Sequence, residues 1–349
     1  MRPLSCTRPK TLFPLVNKPL LQWILERLKQ SDISEAILAV NRLAGFYIKQ
    51  HKLPRVGVHL KFSYDPPDKP LGTAGPVKNA ERLIGQSEPF LVLNGDIFSD
   101  INYRDIITSH ITKKAFATIA LRKVEDPMRF GVAEIANDGR ITQFLEKPPK
   151  ETAPSNLINA GVYVLNPAVL QLIPKGTAVS MEREIFPKLA EEGKLYGHRI
   201  EGLWMDVGKP EEYLLANKVL VDTLKKNEQL KKGRKFNIRN PVAIDKGVTI
   251  GDESAIGPYA VLGKNVAIGK KVKIRSSVIF QRTKIGDSAL VEGAIIGENA
   301  VIGEHVKIGK GCIVADHAVI KKGVQLCQDV IVCPAKEVNE KMLKSKIIC

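Results

Sequence analysis

Ile250-Gly-Asp-Glu-Ser-Ala-Ile256-Gly-Pro-Tyr-Ala-Val-Leu262-Gly-Lys-Asn-Val-Ala-Ile268-Gly269 repeats every six residues, an aliphatic side chain followed at once by glycine. Extended outward, the same spacing runs through Ile244, Ile250, Ile256, Leu262, Ile268, Ile274 and Phe280. It resumes in a new register at Leu290, Ile296, Ile302, Ile308, Val314, Ile320 and Leu326. A six-residue period with one apolar position per unit is the pattern of a β-helix. One coil cannot bury that column alone, so coils must stack. Gly251, Gly257, Gly263, Gly269, Gln281-Arg-Thr-Lys284 and Gly297, Gly303, Gly309 punctuate it: the glycines are expected at tight corners, and the tetrapeptide is expected to loop out of one coil.

Upstream of about residue 230 the periodicity is different. Asn17-Lys18-Pro19 opens a helix carrying Leu21, Trp23, Ile24, Leu25 and Leu28 in or beside an apolar stripe. Ala36–Val40, Phe90–Leu93, Ala115–Leu121 and Gly161–Leu165 read as buried strands between helical segments. That alternation predicts an α/β domain with a Rossmann-like, mostly parallel sheet covered on both faces. The chain divides into residues 1–223, a connector at 224–240, and a β-helix with a C-terminal tail at 241–349.

The 349 residues suffice for two cores, and 44% apolar with 26% charged residues are globular values that exclude pervasive disorder. No stretch approaches the roughly 18 apolar residues of a membrane-spanning helix, and the opening residues lack the apolar core of a signal peptide. The expected location is therefore the cytoplasm. Cys6, Cys312, Cys327, Cys333 and Cys349 form neither a CxxC pair nor a zinc spacing, and are expected to be reduced. The net charge of +16 raises a nucleic-acid reading, but the lysines are dispersed. Their tightest cluster (Lys225, Lys226, Lys231, Lys232, Arg234, Lys235) falls in the connector. A basic balance also suits polyanionic phosphate substrates.

Asn94-Gly95-Asp96 follows an apolar run at the carboxyl end of a strand, where open α/β sheets bind ligands. Asp96 there is an oxygen donor of the kind Mg²⁺ prefers, although Asn-Gly-Asp is also ordinary turn vocabulary. Leu203-Trp-Met-Asp-Val-Gly208 sets Asp206 among apolar neighbours, where it must be paired, metal-bound, or capping the next helix. Glu146 and Lys147 precede Pro148; an adjacent Glu-Lys is commonly a solvated pair. Lys10, and Gly72 and Gly75 in Gly72-Thr-Ala-Gly75, complete the candidates; the glycines match neither a P-loop nor GxGxxG.

In chain order, Arg2-Pro-Leu-Ser-Cys-Thr-Arg-Pro-Lys10, Leu71-Gly-Thr-Ala-Gly75, Leu93-Asn-Gly-Asp96, Arg129-Phe-Gly-Val132, Phe144-Leu-Glu-Lys-Pro148, Ile158-Asn-Ala-Gly161 and Trp204-Met-Asp-Val-Gly208 resemble the successive signatures of the sugar-1-phosphate nucleotidyltransferases. The repeat is similar to the left-handed parallel β-helix that many of them carry, so the likeness covers essentially the whole chain. Within the family, Ser155–Leu170 and Glu184-Ile-Phe-Pro187 are most similar to mannose-1-phosphate guanylyltransferases.

The resemblance implies Mg²⁺-dependent, in-line transfer of a nucleotidyl group from GTP to mannose 1-phosphate. UTP or dTTP with glucose 1-phosphate, or a non-catalytic regulatory subunit of the family, are the alternatives. It assigns the metal to Asp96 and Asp206, and catalysis to Lys10, Asp96, Lys147 and Asp206. Nucleotide binding falls to Lys10, Leu71, Gly72, Thr73, Asn94 and Gly95; the sugar phosphate falls to Gly131, Glu146, Lys147 and Asn159. The flat faces of such a β-helix lead to the expectation of a homo-oligomer, and the composition to that of no membrane or nucleic-acid partner. His305 and His317, the candidate bases for a second, acyl-transferring activity, read better as solvent-facing corners. The family opens with a strand and a Gly-Gly-x-Gly-Thr-Arg loop that wraps the nucleotide phosphates. The sequence starts just past it, which implies either a piece of a longer protein, the favoured reading, or a native chain without that catalytic part; as written it implies weak or absent activity and a poorly supported sheet centre.

Overall fold

The computed structural model describes residues 1–51, 53–67, 69–85, 88–223 and 235–349. Most of the connector, with Lys225, Lys226, Lys231, Lys232 and Arg234, lies outside the described residues. Packing divides the chain into two compact units, Leu21–Trp204 and a second one built from Met1–Leu20 together with Met205–Cys349. In this grouping the first twenty residues and the helix Pro210–Thr223 pack with the repeat.

The unit Leu21–Trp204 alternates helices and strands as its sequence reads. Its main sheet has the strand order Leu195–Arg199, Ala117–Lys123, Leu157–Leu165, Gly131–Ile135, Ile141–Glu146, with Phe90–Leu93 also on Leu157–Leu165. The strand directions are mixed rather than mostly parallel. Within this sheet Leu195–Arg199 runs parallel to Ala117–Lys123, and the other registered pairs are antiparallel. The physical reason lies between Ala117–Lys123 and Leu157–Leu165, where a hairpin replaces the crossover helix a parallel sheet needs. Asn137-Asp-Gly139 turns that hairpin, Gly139 taking φ +86°.

Thr118 faces His110 of the helix Tyr103–Thr112 (Oγ1 to Nδ1, 2.9 Å), whereas Ile119 and Leu121 join the core with Phe186 of the helix Phe186–Glu191. Successive strand residues point to opposite faces, so the two helices cover opposite sides. Glu35–Val40 and His59–Tyr64 form a separate parallel pair. Phe90, Leu91, Val92 and Leu93 are only half-buried although all four are apolar, and the described pairing of this strand is along one edge, to Leu157–Leu165.

In the other unit the repeat forms three parallel sheets of six, seven and six short strands. Their inward column runs Ile256, Leu262, Ile268, Ile274, Ile279, Ile285, Val291, Ile296, Ile302, Ile308, Val314, Ile320, Leu326. No tetrapeptide loops out. The step from Ile274 to Ile279, and from Val291 to Ile296, is five positions instead of six, and Ile268 stacks directly on Ile285. Phe280 and Leu290 therefore leave the column they were expected to occupy.

The glycines after the apolar positions have a different cause from the one expected. Apart from Gly257, they lack positive φ; the left-handed corners are Asn265, Lys271, Asn299, His305 and His317, among others. A Cβ on Gly297 would instead lie 2.5 Å from the Asp316 nitrogen of the next coil, so close stacking excludes it. His305 and His317 are exposed corners. Cys6, Cys312 and Cys327 are free thiols, but Cys333 and Cys349 are disulfide-bonded, a correction to the reduced reading. Parallel pairing of Val332 with Ile348 sets the next residues side by side, Cα atoms 4.8 Å apart. No helix among the described residues is long and apolar enough to cross a membrane.

Candidate active site

The turn Leu71–Gly75 is fixed by its own backbone. Val179 donates to the Leu71 carbonyl (3.1 Å) and Ala74 to the Val179 carbonyl (2.9 Å). Gly72 sits at φ +71° where a Cβ would run into the Val179 carbonyl, so glycine is required twice over. Thr73 then reaches out of the turn. Its hydroxyl donates to Glu182 (2.5 Å) and accepts from the Met181 amide (2.9 Å).

Glu182 connects this turn to the central strand. Its other carboxylate oxygen accepts from the Tyr163 hydroxyl at 3.4 Å, which accepts in turn from Asn159 Nδ2 at 3.0 Å. Burial first, and the Glu182 charge second, push the Tyr163 phenol well above its usual pKa, so it stays a neutral donor. Asn159 closes the chain by accepting from the Gly161 amide (2.8 Å). The Asn94 amide donates to the Gly161 carbonyl (2.8 Å), and Gly161, at φ +68°, leaves the room in which the Asn94 side chain lies. The structure thus gathers Leu71, Gly72, Thr73, Asn94 and Asn159 into one hydrogen-bonded assembly. Gly95 and Asp96 follow directly, Gly95 exposed and Asp96 half-buried.

Glu146 and Lys147 are not a solvated pair. The Glu146 side chain is 14% exposed against 58% for Lys147, whose Nζ stands 3.5 Å from it. Gly131 pairs with Glu146 across the hairpin, and a Cβ there would lie 2.9 Å from its carboxylate, so the missing side chain makes the space that Glu146 fills. Burial raises the Glu146 pKa, Lys147 opposes the rise, and the Glu182 charge adds to it. Lys147 takes φ +52°, and its amide donates to the Phe130 carbonyl at 2.9 Å, which turns its ammonium off the strand.

Lys10 and Asp206 belong to the other unit. Asp206 accepts from the Gly208 amide (2.7 Å), an Asx-type turn that orients the carboxylate just ahead of the helix Pro210–Thr223. Lys10 opens a short 3₁₀ turn, Lys10–Leu12. The Met1 ammonium donates to the Gly208 carbonyl (3.4 Å), and burial and then the Lys10 charge hold its pKa down. Glu182 and Tyr163 escaped the sequence reading. Neither lies in a spacing motif, and the Thr73 partner of Glu182 is 109 residues away. The one available signal was an acid beside the N-cap Ser180, which capping alone would explain.

Two family models match the chain: one described as "Nucleotidyl transferase" over residues 1–223, and one described as "GMPPB C-terminal domain" over residues 238–348. The "Mannose-1-phosphate guanylyltransferase catalytic subunit beta" of Drosophila pseudoobscura pseudoobscura is 36% identical over 72% of this chain and 67% of its own length. That of Dictyostelium discoideum is 36% identical over 72% and 69%. Among solved structures, HddC from Yersinia pseudotuberculosis complexed with GMP-PN superposes with a TM-score of 0.52 at 26% identity, over 61% of this chain and 90% of that one.

Proposed function

Because the chain belongs to the nucleotidyl transferase family, we propose that it transfers the guanylyl group of GTP to mannose 1-phosphate, giving GDP-mannose and pyrophosphate. The observation that carries this reading is the Thr73–Glu182–Tyr163–Asn159 chain. It makes one rigid piece of the turn assigned to the nucleotide and the strand assigned to the sugar phosphate. Relatives named mannose-1-phosphate guanylyltransferase, and the GMP-PN complex of HddC, support the choice of guanine and mannose.

A sugar phosphate is already an anionic nucleophile, so the residues have to position two anions in line rather than abstract a proton. In this reading Lys10 meets the nucleotide phosphates and Lys147 the sugar phosphate. Leu71, Gly72, Thr73, Asn94 and Gly95 offer backbone and side-chain groups to the nucleoside. Gly131, Glu146 and Asn159 line the sugar pocket, where half-buried Glu146 accepts hydrogen bonds from sugar hydroxyls. Asp96 and Asp206 are hard oxygen donors, and the Gly208 amide already orients one of them, a donor set that suits Mg²⁺. When bound, the ion neutralises charge on the transferred phosphate.

The test crosses GTP, UTP and dTTP with mannose and glucose 1-phosphate and follows pyrophosphate release with and without Mg²⁺. Turnover, expected to be weak, should be fastest with GTP and mannose 1-phosphate, vanish on chelation, and fall about 10²–10³-fold further in Lys147→Ala and in Asp96→Asn. Preference for UTP and glucose 1-phosphate would reject the substrates.

A further inference from the structure

The strand-end corners that follow the inward column at Leu262, Ile279, Ile296, Val314 and Val332 form a second column on successive coils. Its first members are Gly263, Phe280, Gly297, Ala315 and Cys333, and its next ones Lys264, Gln281, Glu298, Asp316 and Pro334. Two features break the repeat. Phe280 is the one large side chain among small ones, and it points away from the interior yet is 1% exposed. Glu298 and Asp316 stack two acids on adjacent coils, with Asp316 2% exposed. Stacked, desolvated carboxylates repel and lose hydration, a cost that the repeat's own Glu298 amide and Arg282 offset only in part.

Residues Thr7–Phe13 supply what both features lack. The Arg8 guanidinium bonds Asp316 (2.6 Å) and Glu298 (2.8 Å) through one nitrogen and lies 5.2 Å over the Phe280 ring. Thr7 donates to the same Asp316 oxygen (2.5 Å), the Glu298 amide donates to the other (2.7 Å), and Arg282 holds the second oxygen of Glu298. Gly297 permits that close approach of Asp316. Immediately downstream, Phe13 packs edge-on against the same Phe280 (6.2 Å) and against Tyr213 (6.0 Å), and the Tyr213 hydroxyl donates to the Pro14 carbonyl. Between these two attachments stand Pro9, with φ at −65°, and Lys10, whose carbonyl accepts from the Phe13 amide at 2.9 Å.

The geometry points to Asp316 and Glu298 as positioning residues for Lys10. By holding Arg8, the β-helix fixes the backbone from which Lys10 reaches the nucleotide phosphates, and so sets nucleotide affinity from coils that carry none of the assigned substrate contacts. This rests on the reading of Lys10 given under Proposed function.

The test is a double-mutant cycle on the full chain, with the dissociation constant of Mg²⁺ and a fluorescent GTP analogue as readout and thermal stability measured alongside. Lys10→Ala and Asp316→Asn should each weaken binding, roughly tenfold, and the double variant should be no weaker than Lys10→Ala alone, since an unplaced lysine and an absent one are equivalent. Should Asp316→Asn fail to fold, Arg8→Gln enters the same cycle. If the two losses multiply in the double variant, Asp316 is merely structural and the inference fails while the reading of Lys10 stands. If Lys10→Ala binds as well as the parent, the reading of Lys10 fails and takes the inference with it.

Discussion

Glu146 carries the sharpest conflict between stability and function at a single side chain. Burial raises its pKa above the ordinary value of 4.5 despite Lys147 beside it, so the folded chain holds this proton more tightly than the unfolded one does. Stability must then fall as pH rises from about 4.5 through the raised folded value, and stay reduced above it. Glu146→Gln removes that penalty. We expect melting at pH 7.5 to rise by ~2 °C, the gain to vanish near pH 4, and the KM for the sugar phosphate to increase. Melting curves at the two pH values decide it; a variant less stable at pH 7.5 would mean that the ionised carboxylate is stabilised where it sits. The candidate status of Glu146 was visible in Phe144-Leu-Glu-Lys-Pro148, but its burial was not. That burial depends on Gly131 opposite it, a pairing which the hairpin sets and linear order does not reveal. Thr73 was legible as part of a glycine turn, whereas its partner Glu182 needed the fold.

At the scale of the element, the coil is a case where a correct period gave an incorrect register. Phe280 and Leu290 are apolar and sit where the count of six puts them, so the pattern gave no sign that Ile279 and Val291 are the inward residues. Periodicity reports which positions are apolar, not which of them another segment covers from outside, and Phe280 is covered by Phe13 and Arg8. The glycines show a similar division between presence and cause. Gly297 has unremarkable backbone angles but no room for a Cβ, while Gly323 has φ +73° and nothing within 4 Å of a built Cβ. Gly323→Ala should cost about 1–2 kcal/mol of backbone strain alone. Gly297→Ala must push coils apart along a stacked column, and should cost more, about 3 kcal/mol. Denaturant midpoints of the two variants compare them directly, and equal losses would refute the close-approach account.

At the scale of the whole molecule, the chain's first residues are structurally part of its last domain. A reading by sequence order assigns residues 1–20 to the nucleotidyltransferase half, because their motif belongs there; packing assigns them to the β-helix unit, because their apolar and charged side chains find their partners there. Val16 donates to Asn217 (2.8 Å) and Asn17 to the Leu262 carbonyl (3.0 Å), beyond the contacts of Arg8 and Phe13. Partners two hundred or more residues away leave no trace in a local pattern. If these contacts make one cooperative unit, damage near the start of the chain should be felt in the coils. Phe13 is 1% exposed, and Phe13→Ala should remove about 3–5 kcal/mol. Hydrogen exchange should then quicken in peptides spanning 278–317 while those spanning 117–123 and 157–165, in the other unit, keep their protection. Exchange confined to the first twenty residues would mean that the opening segment lies on the β-helix without sharing its stability, and the coils would have to be regarded as folding without it.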